Sequence, residues 1–171
     1  IYPKVEEIDE DLALLRDTVH AVRTYTVKDT LAEVPRLALK HRLNVTLGAW
    51  IGTDTEEHAK ELDRLSDVLA QGNRNVVRIM VGNEVLLRGD VTVPELIKYL
   101  DRVRRSTALP VSTAEPPYIW MRHPELADHV DFITIHSGIT HQALRHLDQR
   151  IMGIVSRGGS FIAKWMLYHR T

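Results

Sequence analysis

Short apolar runs rich in Val and Ile alternate along this chain with longer stretches whose apolar residues recur at helical spacing. Runs that are apolar at nearly every position are typical of strands covered on both faces. Their alternation with helices over short connections favours right-handed crossovers and a parallel sheet, either an open doubly wound sheet or a barrel. The predicted strands are Ala21–Val27, Asn44–Ile51, Val76–Val81, Val111–Ala114, Phe132–Ile135 and Gly153–Val155.

Apolar stripes and capping residues predict the helices between these strands. Pro35 fits its helix only if that helix begins late, whereas Pro94 suits the first turn of another. The predicted helices lie around Ile8–Leu15, around Leu31–Ala38, after a capping box of Thr53 with Glu56 or Asp54 with Glu57, after a capping box of Thr92 with Glu95, and around Ala143–Leu147.

The length of 171 residues allows one domain but falls short of the roughly 250 residues of a complete eight-stranded β/α barrel. We therefore expect a single α/β domain over residues 1–171, a parallel (β/α) barrel reduced or truncated to about six units of the TIM-barrel plan. The chain starts at Ile1 without Met, which indicates a trimmed or excised segment. Such a sheet has open edges, so we expect either a homo-oligomer or closure into a smaller barrel.

The composition argues against several classes of function. Lys and Arg (22) nearly balance Asp and Glu (23), so no global charge favours nucleic acid or an anionic membrane. The absence of Cys excludes thiolate zinc sites and iron–sulfur clusters. No apolar run reaches the roughly 18 residues of a membrane helix, and no Gly-rich dinucleotide loop follows the first strand. The nine histidines share no ligand spacing, so neither a metal nor a cofactor is expected.

Functional side chains of parallel sheets lie just beyond the carboxyl ends of the strands. The two aromatic residues at such positions suit stacking on a sugar ring, although lids over a hydrophobic core are an equal alternative. The residues at these positions are Arg23, Tyr25, Trp50, Asn83, Glu84, Glu115, His136, Ser156 and Arg157.

The stretch Val81–Val85, which reads Val-Gly-Asn-Glu-Val, is the most informative of these positions. A carboxyl group at the end of a strand, preceded by an amide, suits general acid catalysis at a glycosidic bond. In a barrel mouth, burial would keep Glu84 protonated while Asn83 orients a sugar hydroxyl. The alternative is a surface glutamate that caps the following turn.

Five stretches in residues 2–135 and just beyond carry a family resemblance in the right order: Val22–Tyr25, Leu47–Trp50, Val81–Val85, Ser112–Pro116 and Val130–His136. They resemble bacterial members of glycoside hydrolase family 17, the β-1,3-glucanases and related glucan transglycosylases. The resemblance implies that Glu84 ends the family's fourth strand as the proton donor, and that the first strand here is the family's second. We expect the substrate-binding residues to be Arg23, Tyr25, Trp50, Asn83 and His136.

The family pattern ends after the sixth strand. The resemblance implies a seventh strand that ends in Gly-Glu-Thr-Gly-Trp and supplies a nucleophilic Glu, but Ile154–Ser160 contains no carboxylate. A retaining hydrolase needs two carboxyl groups about 5–5.5 Å apart, so we expect the site to be catalytically incomplete. In the alternative, Glu115 acts as the second catalytic residue beside Glu84.

The last part of the chain resembles a different family. Thr134–Thr140, Gly153–Phe161 and Lys164–Leu167 are similar to phosphomethylpyrimidine synthase of thiamine biosynthesis, over about residues 131–171. This resemblance implies that His136 contacts substrate and that a phosphate is held by Ser156, Arg157 and Gly158. A Ser-Arg-Gly-Gly turn that opens a helix can present a guanidinium and backbone N–H groups to one anion, which adds Gly159. A plain Gly-Gly turn at the end of a strand is the alternative.

Two families that meet in one strand, Asp131–His136, predict an engineered or recombined chimera of two barrel fragments. Three functions follow as hypotheses. The first is a fragmentary or engineered barrel protein derived from a β-1,3-glucan-active enzyme, the second an active glycosidase that uses Glu84 and Glu115, and the third a phosphate-binding module. The expected partner is therefore a β-glucan carbohydrate or a small phosphate-bearing ligand.

Overall fold

A computed structural model of the chain describes residues 2–136 and the short strand Ser160–Phe161. The six strands of this part are parallel, and each pairs with the next one along the chain. They are β1 (Ala21–Arg23), β2 (Asn44–Ala49), β3 (Val76–Asn83), β4 (Val111–Glu115), β5 (Phe132–Ile135) and β6 (Ser160–Phe161).

Helices lie between successive strands from β1 to β5, which confirms the predicted α/β alternation over this part of the chain. Two 3-10 segments, Asp29–Glu33 and Pro124–His129, precede α2 and β5. The α-helices of the described part are α1 (Val5–Leu15), α2 (Val34–Lys40), α3 (Thr55–Ala70), α4 (Val85–Arg88), α5 (Val93–Ser106) and α6 (Pro117–Arg122).

The strands curl into an open half-barrel with the helices packed outside, so the predicted truncated barrel is confirmed. Most of the buried apolar residues lie between the helices and the outer face of the sheet. A smaller cluster of Met80, Ala114 and Phe132 is separate from that core and joins three neighbouring strands. Because residues in a strand alternate between faces, this cluster marks the inner face of the half-barrel.

Gly48 allows β1 and β2 to approach closely where they lead to the carboxyl edge. A Cβ atom at this position would lie 2.2 Å from the carbonyl oxygen of Thr24. The backbone N–H of Gly48 also donates a hydrogen bond to Oγ1 of Thr24 at 2.9 Å. A larger residue would therefore separate the two strands that lead to the predicted site residues Tyr25 and Trp50.

The helix signals in the sequence predict the helix starts well. Pro35 lies in the first turn of α2, which begins late as expected, and a capping box of Thr92 with Glu95 opens α5. Asp54 caps α3 by accepting the N–H of Glu56, so the predicted cap residue Asp54 is confirmed, but neither of the two predicted capping boxes forms. The helix expected around Ala143–Leu147 and the strand expected at Gly153–Val155 lie outside the described residues.

The first strand is shorter than predicted, since β1 ends at Arg23 and not at Val27. Beyond Arg23 the chain turns toward α3, where Thr26 and the backbone N–H of Val27 both donate to the carboxylate of Glu61. These bonds replace strand pairing at the end of the apolar run. A side chain on a helix therefore sets where this strand stops.

Among the described strands, β1 pairs only with β2, and β6 only with β5. The expected homo-oligomer through these edges stays a prediction, as does closure into a smaller barrel. No helix in the described part is long and apolar enough to cross a membrane.

Candidate functional site

A β-bulge near the end of β3 sets the position of Asn83. Met80 pairs with Ser112 and Asn83 pairs with Ala114, so three steps along β3 are opposite two steps along β4. In a regular strand, residues three positions apart lie on opposite faces. The additional residue of the bulge shifts this alternation by one, so Asn83 lies on the same inner side as Met80. The bulge thus brings the amide of Asn83 into the mouth of the half-barrel.

Glycine is required within this bulge. Gly82 has a φ of +77°, and a Cβ atom there would lie 2.6 Å from Cγ2 of Val85. Glu84, two residues later, also lies in the left-handed region, with φ 55° and ψ 34°. For a residue with a side chain this backbone costs about 1–2 kcal/mol, so neighbouring contacts must hold the turn. One of them is the N–H of Glu84, which donates to the carbonyl of Ala114 at 2.7 Å.

Four of the predicted site residues form one connected network. Nη2 of Arg23 donates to Oδ1 of Asn83 at 3.0 Å, and Nη1 of Arg23 lies 3.1 Å from Nε2 of His136. Nδ1 of His136 lies 2.9 Å from Oε1 of Glu84. The network therefore joins the ends of β1, β3 and β5.

The direction of these hydrogen bonds follows from the chemistry of Arg23. A guanidinium can only donate, so Nε2 of His136 accepts from it and Nδ1 of the same ring carries the proton. That proton is donated to Oε1 of Glu84. The side chain of Glu84 is 33% exposed, which leaves it open to a ligand in the mouth.

The charge of Arg23 lies in a largely enclosed position. Burial lowers the pKa of Arg23, while Tyr25 and Glu84 act in the opposite direction. Its guanidinium lies over the ring of Tyr25, 4.8 Å from the ring centroid. Arg23 is therefore held by polar partners on one side and by an aromatic face on another.

Trp50 is fixed to the same turn that carries Glu84. The guanidinium of Arg88 in α4 lies 4.6 Å from the centroid of the Trp50 ring. Arg88 also donates to the carbonyl of Ile51 at 3.0 Å and to the carbonyl of Asn83. Trp50 is 43% exposed and Tyr25 is 39% exposed, so both predicted sugar-stacking residues present surface to solvent.

Glu115 ends β4 as predicted but is completely enclosed, with 0% exposure. Its Oε1 accepts the N–H of Leu86 at 2.9 Å and its Oε2 accepts the N–H of Leu87 at 3.3 Å. Burial raises the pKa of Glu115, and the backbone N–H donors oppose this rise. Glu115 thus lies behind the turn of Glu84 and is not part of the network of Arg23 and His136 in the described residues.

Glu61 was missed by sequence reasoning, which considered only the ends of strands. Its buried Oε1 accepts from Oγ1 of Thr26 at 2.5 Å, from the N–H of Val27 at 2.9 Å and from the N–H of Trp50 at 3.1 Å. It therefore ties the segments after β1 and β2, which carry Tyr25 and Trp50. The available signal was a carboxylate on the apolar face of α3, four residues before Leu65.

A groove of about 550 Å³ lies beside Trp50 and Glu61. Tyr2 and Trp50 supply its large aromatic surfaces, and Lys28 and Glu57 are among its charged residues. Within residues 2–136 and Ser160–Phe161, no group of three or more His, Asp or Glu residues is placed to hold a metal ion. The predicted phosphate-binding residues Ser156, Arg157, Gly158 and Gly159 lie outside the described residues.

Two curated relatives are phosphomethylpyrimidine synthases. The one from Desulforamulus reducens is 33% identical over 144 residues, which cover 77% of this chain and 32% of the relative. The one from Desulfitobacterium hafniense is 30% identical over 148 residues, which cover 78% and 34%. The chain thus spans about a third of the length of these relatives. The resemblance to this family is confirmed, and its alignment extends well beyond residues 131–171.

Two solved structures of a β-1,3-glucanosyltransferase from Rhizomucor miehei share the fold. One is an active-site mutant in complex with laminaritriose, with a TM-score of 0.83, and the other is described as a family 17 glycoside hydrolase, with a TM-score of 0.82. Both are 23% identical to this chain and cover 95% of it, and the chain covers 65% of each of them.

A family model described as the BtgE/BtgC glycoside hydrolase domain matches residues 2–137, which include every residue of the Arg23–Glu84 network. The match covers most of the chain. The chain belongs to the BtgE/BtgC glycoside hydrolase domain family.

Proposed function

We propose that this chain binds β-1,3-glucan at the carboxyl edge of the half-barrel, with Glu84 as the acid of a glycosidic site that the chain leaves catalytically incomplete. The observation that carries the proposal is the hydrogen-bonded network in which Arg23 and His136 hold Asn83 and Glu84 in one mouth. Membership of a glycoside hydrolase family and the fold shared with a glucanosyltransferase that was solved with laminaritriose support it.

The network suits substrate positioning and acid catalysis. Oε1 of Glu84 accepts the proton of His136, so Oε2 is the atom that can carry a proton to a leaving glycosidic oxygen. The amide of Asn83 is held by Arg23 and keeps its own donors for a sugar hydroxyl. Tyr25 and Trp50 offer half-exposed rings on which sugar faces can stack.

The proposed incompleteness rests on the second carboxylate. A retaining mechanism needs a partner for Glu84 at about 5–5.5 Å, placed on the opposite face of the sugar ring. Ile154–Ser160, where the resemblance expects a nucleophile, contains no Asp or Glu. Both oxygens of Glu115 accept backbone N–H groups, which argues against its use as that nucleophile. We therefore infer binding of the glucan without turnover.

Calorimetric titration with laminaritriose tests the binding, with maltotriose as the linkage control. The proposal expects laminaritriose to bind the chain and maltotriose to bind more weakly. The variant Glu84→Gln, which keeps the size of the side chain, should still bind. No detectable heat with laminaritriose at millimolar concentration rejects the proposal.

Release of reducing sugar from laminarin separates this proposal from the alternative of an active glycosidase. Incomplete catalysis expects no release above that of the Glu84→Gln variant. A rate that falls by about a hundredfold or more in Glu84→Gln establishes an active enzyme and overturns the inferred incompleteness. The variant Glu115→Gln then tests whether Glu115 takes part directly.

Phosphate binding at Ser156–Gly159 is a second candidate, favoured by the sequence similarity to phosphomethylpyrimidine synthases. Titration of inorganic phosphate against the chain and against Arg157→Ala tests it. Equal affinities reject the candidate. The chimeric origin of the chain stays a prediction, because the alignments to these synthases overlap the part that matches the glycoside hydrolase family.

A further inference from the structure

A buried carboxylate caps the helix that follows Glu84. The first N–H groups of any helix have no partner within the helix, and a side-chain acceptor must supply one. In α4 this acceptor is Glu115, which takes the N–H of Leu86 at 2.9 Å and that of Leu87 at 3.3 Å. The residue at the cap position, Glu84, makes no side-chain cap of its own. Glu115 on β4 thus supplies the hydrogen-bond acceptors that a capping residue next to the helix usually supplies.

The same stretch of β4 also holds the backbone on both sides of the mouth. The N–H of Glu84 donates to the carbonyl of Ala114 at 2.7 Å, and the N–H of His136 donates to the carbonyl of Glu115 at 3.2 Å. Glu84 and His136 are the two residues joined by the 2.9 Å hydrogen bond. Ala114 and Glu115 therefore fix the distance across which that bond forms.

Direct chemistry by Glu115 does not fit this position. The residue is 0% exposed, and each of its carboxylate oxygens already accepts a backbone N–H. A substrate would have to displace α4 to reach it. By contrast, the left-handed backbone of Glu84 needs contacts from other residues to hold it. Glu115 supplies two such contacts, to the backbone N–H groups of Leu86 and Leu87 in the same turn.

We propose that Glu115 is a positioning residue, whose side chain holds the turn that presents Glu84 and whose main chain holds His136. The proposal rests on the proposed function only in naming Glu84 as the acid. Glu115 acts through the backbone of Leu86 and Leu87, so its loss changes the placement of Glu84 before it changes the fold as a whole.

The variants Glu115→Gln and Glu115→Ala test this role, with Glu61→Gln as the matched control. Glu61 is also a buried carboxylate that accepts backbone N–H groups, but its partners are Val27 and Trp50. Gln fits the space of Glu115 but points one N–H₂ group toward the donors, so at most one of the two bonds remains. If Glu115→Ala does not fold, Glu115→Gln decides the test.

Amide hydrogen exchange and NMR chemical shifts give a readout that does not depend on sugar binding. We expect exchange at Leu86 and Leu87 to accelerate by about tenfold in Glu115→Gln, together with shifted signals of Glu84 and His136. Glu61→Gln should leave these signals unchanged. Unchanged exchange at Leu86 and Leu87, or equal changes in the two Gln variants, overturns the positioning role.

Laminaritriose titration then links the role to the proposed function. In a chain that binds the sugar, Glu115→Gln should weaken binding by about tenfold relative to the unmodified chain. If the unmodified chain does not bind laminaritriose, the proposed function fails, but the exchange data still decide whether Glu115 positions the turn. Accelerated exchange with unaltered binding removes Glu115 from the function of the site and rejects the proposal.

Discussion

Nδ1 of His136 lies 2.9 Å from Oε1 of Glu84, although 52 positions separate the two residues in the sequence. Glu84 follows β3, His136 follows β5, and the strand between them contributes neither side chain to the bond. Arg23 extends the contact to β1. The network thus comes from alternate strands, which is the way side chains form layers inside β/α barrels.

The variant His136→Ala should weaken laminaritriose binding by about tenfold, because it leaves Nη1 of Arg23 and Oε1 of Glu84 without their common partner. Calorimetry measures the change. The control is His123→Ala, whose imidazole contacts only the carboxylate of Glu125 at 3.4 Å among the described ion pairs and should change the affinity by less than about twofold. Equal effects of the two variants contradict a role of His136 in the mouth.

The variant Arg23→Lys tests whether the two separate nitrogens of the guanidinium are needed to hold Asn83 and His136. An ammonium group is a point donor and does not reach both Asn83 and His136, which lie 3.0 and 3.1 Å from different nitrogens of Arg23. We expect a loss of about 1–3 kcal/mol in the free energy of unfolding, measured in urea, and weaker binding of laminaritriose. Arg36→Lys, at an exposed pair with Glu33, should cost less than about 1 kcal/mol. A stability equal to that of Arg36→Lys argues against the network.

Much of this site follows from the rule that parallel strands end at one edge. Arg23, Asn83, Glu84 and His136 were all expected there, and the structure brings the four together. The rule does not give the face on which a side chain lies. Glu115 comes one residue after Ala114, which packs on the inner face, and alternation therefore turns Glu115 to the other side.

The alternation of apolar runs predicted a parallel sheet, either doubly wound or a barrel, and the chain length and the family resemblance favoured the truncated barrel. Two details, however, depend on tertiary contacts that no local pattern contains. The bulge that carries Asn83 to the inner face is visible only from the pairing of β3 with β4. The early end of β1 depends on Glu61, which lies 34 residues beyond Val27 in the sequence. A propensity for strand in Thr24–Val27 is overridden by that carboxylate.

The bulge makes a prediction about two glycines with similar backbone. Gly82→Ala should lower the free energy of unfolding by about 3 kcal/mol or more, because the new Cβ would lie 2.6 Å from Val85 in addition to the unfavourable φ of +77°. Gly72 has a φ of +69°, but nothing lies within 4 Å of a Cβ atom added there. Gly72→Ala should therefore lower the free energy of unfolding by only about 1 kcal/mol. Urea unfolding measures both. Equal losses show that the backbone angle alone requires glycine.

Glu61→Ala should lower the free energy of unfolding by about 3 kcal/mol, because the N–H groups of Val27 and Trp50 lose a buried acceptor. Amide exchange at these two residues should accelerate along with it. The control is Glu57→Ala on the same helix, which removes ion pairs with Lys28 and Lys60 at half-exposed positions and should cost less than about 1 kcal/mol. Unchanged exchange at Val27 and Trp50 contradicts the role of Glu61 as the acceptor that holds these two backbone N–H groups.

The pH dependence of stability tests whether Glu115 is enclosed in solution as it is in the structure. Burial raises the pKa of Glu115 above its ordinary value of 4.5, so the folded state favours the protonated acid. The stability linked to that protonation is fully present below the ordinary value and is lost as pH rises through the raised value. Glu115→Gln cannot titrate and lacks this loss. The excess stability of the unmodified chain over Glu115→Gln should therefore fall as pH rises above the ordinary value of 4.5, measured by urea unfolding. An excess that stays constant as pH rises means that the carboxyl group of Glu115 titrates as freely in the folded chain as in the unfolded one.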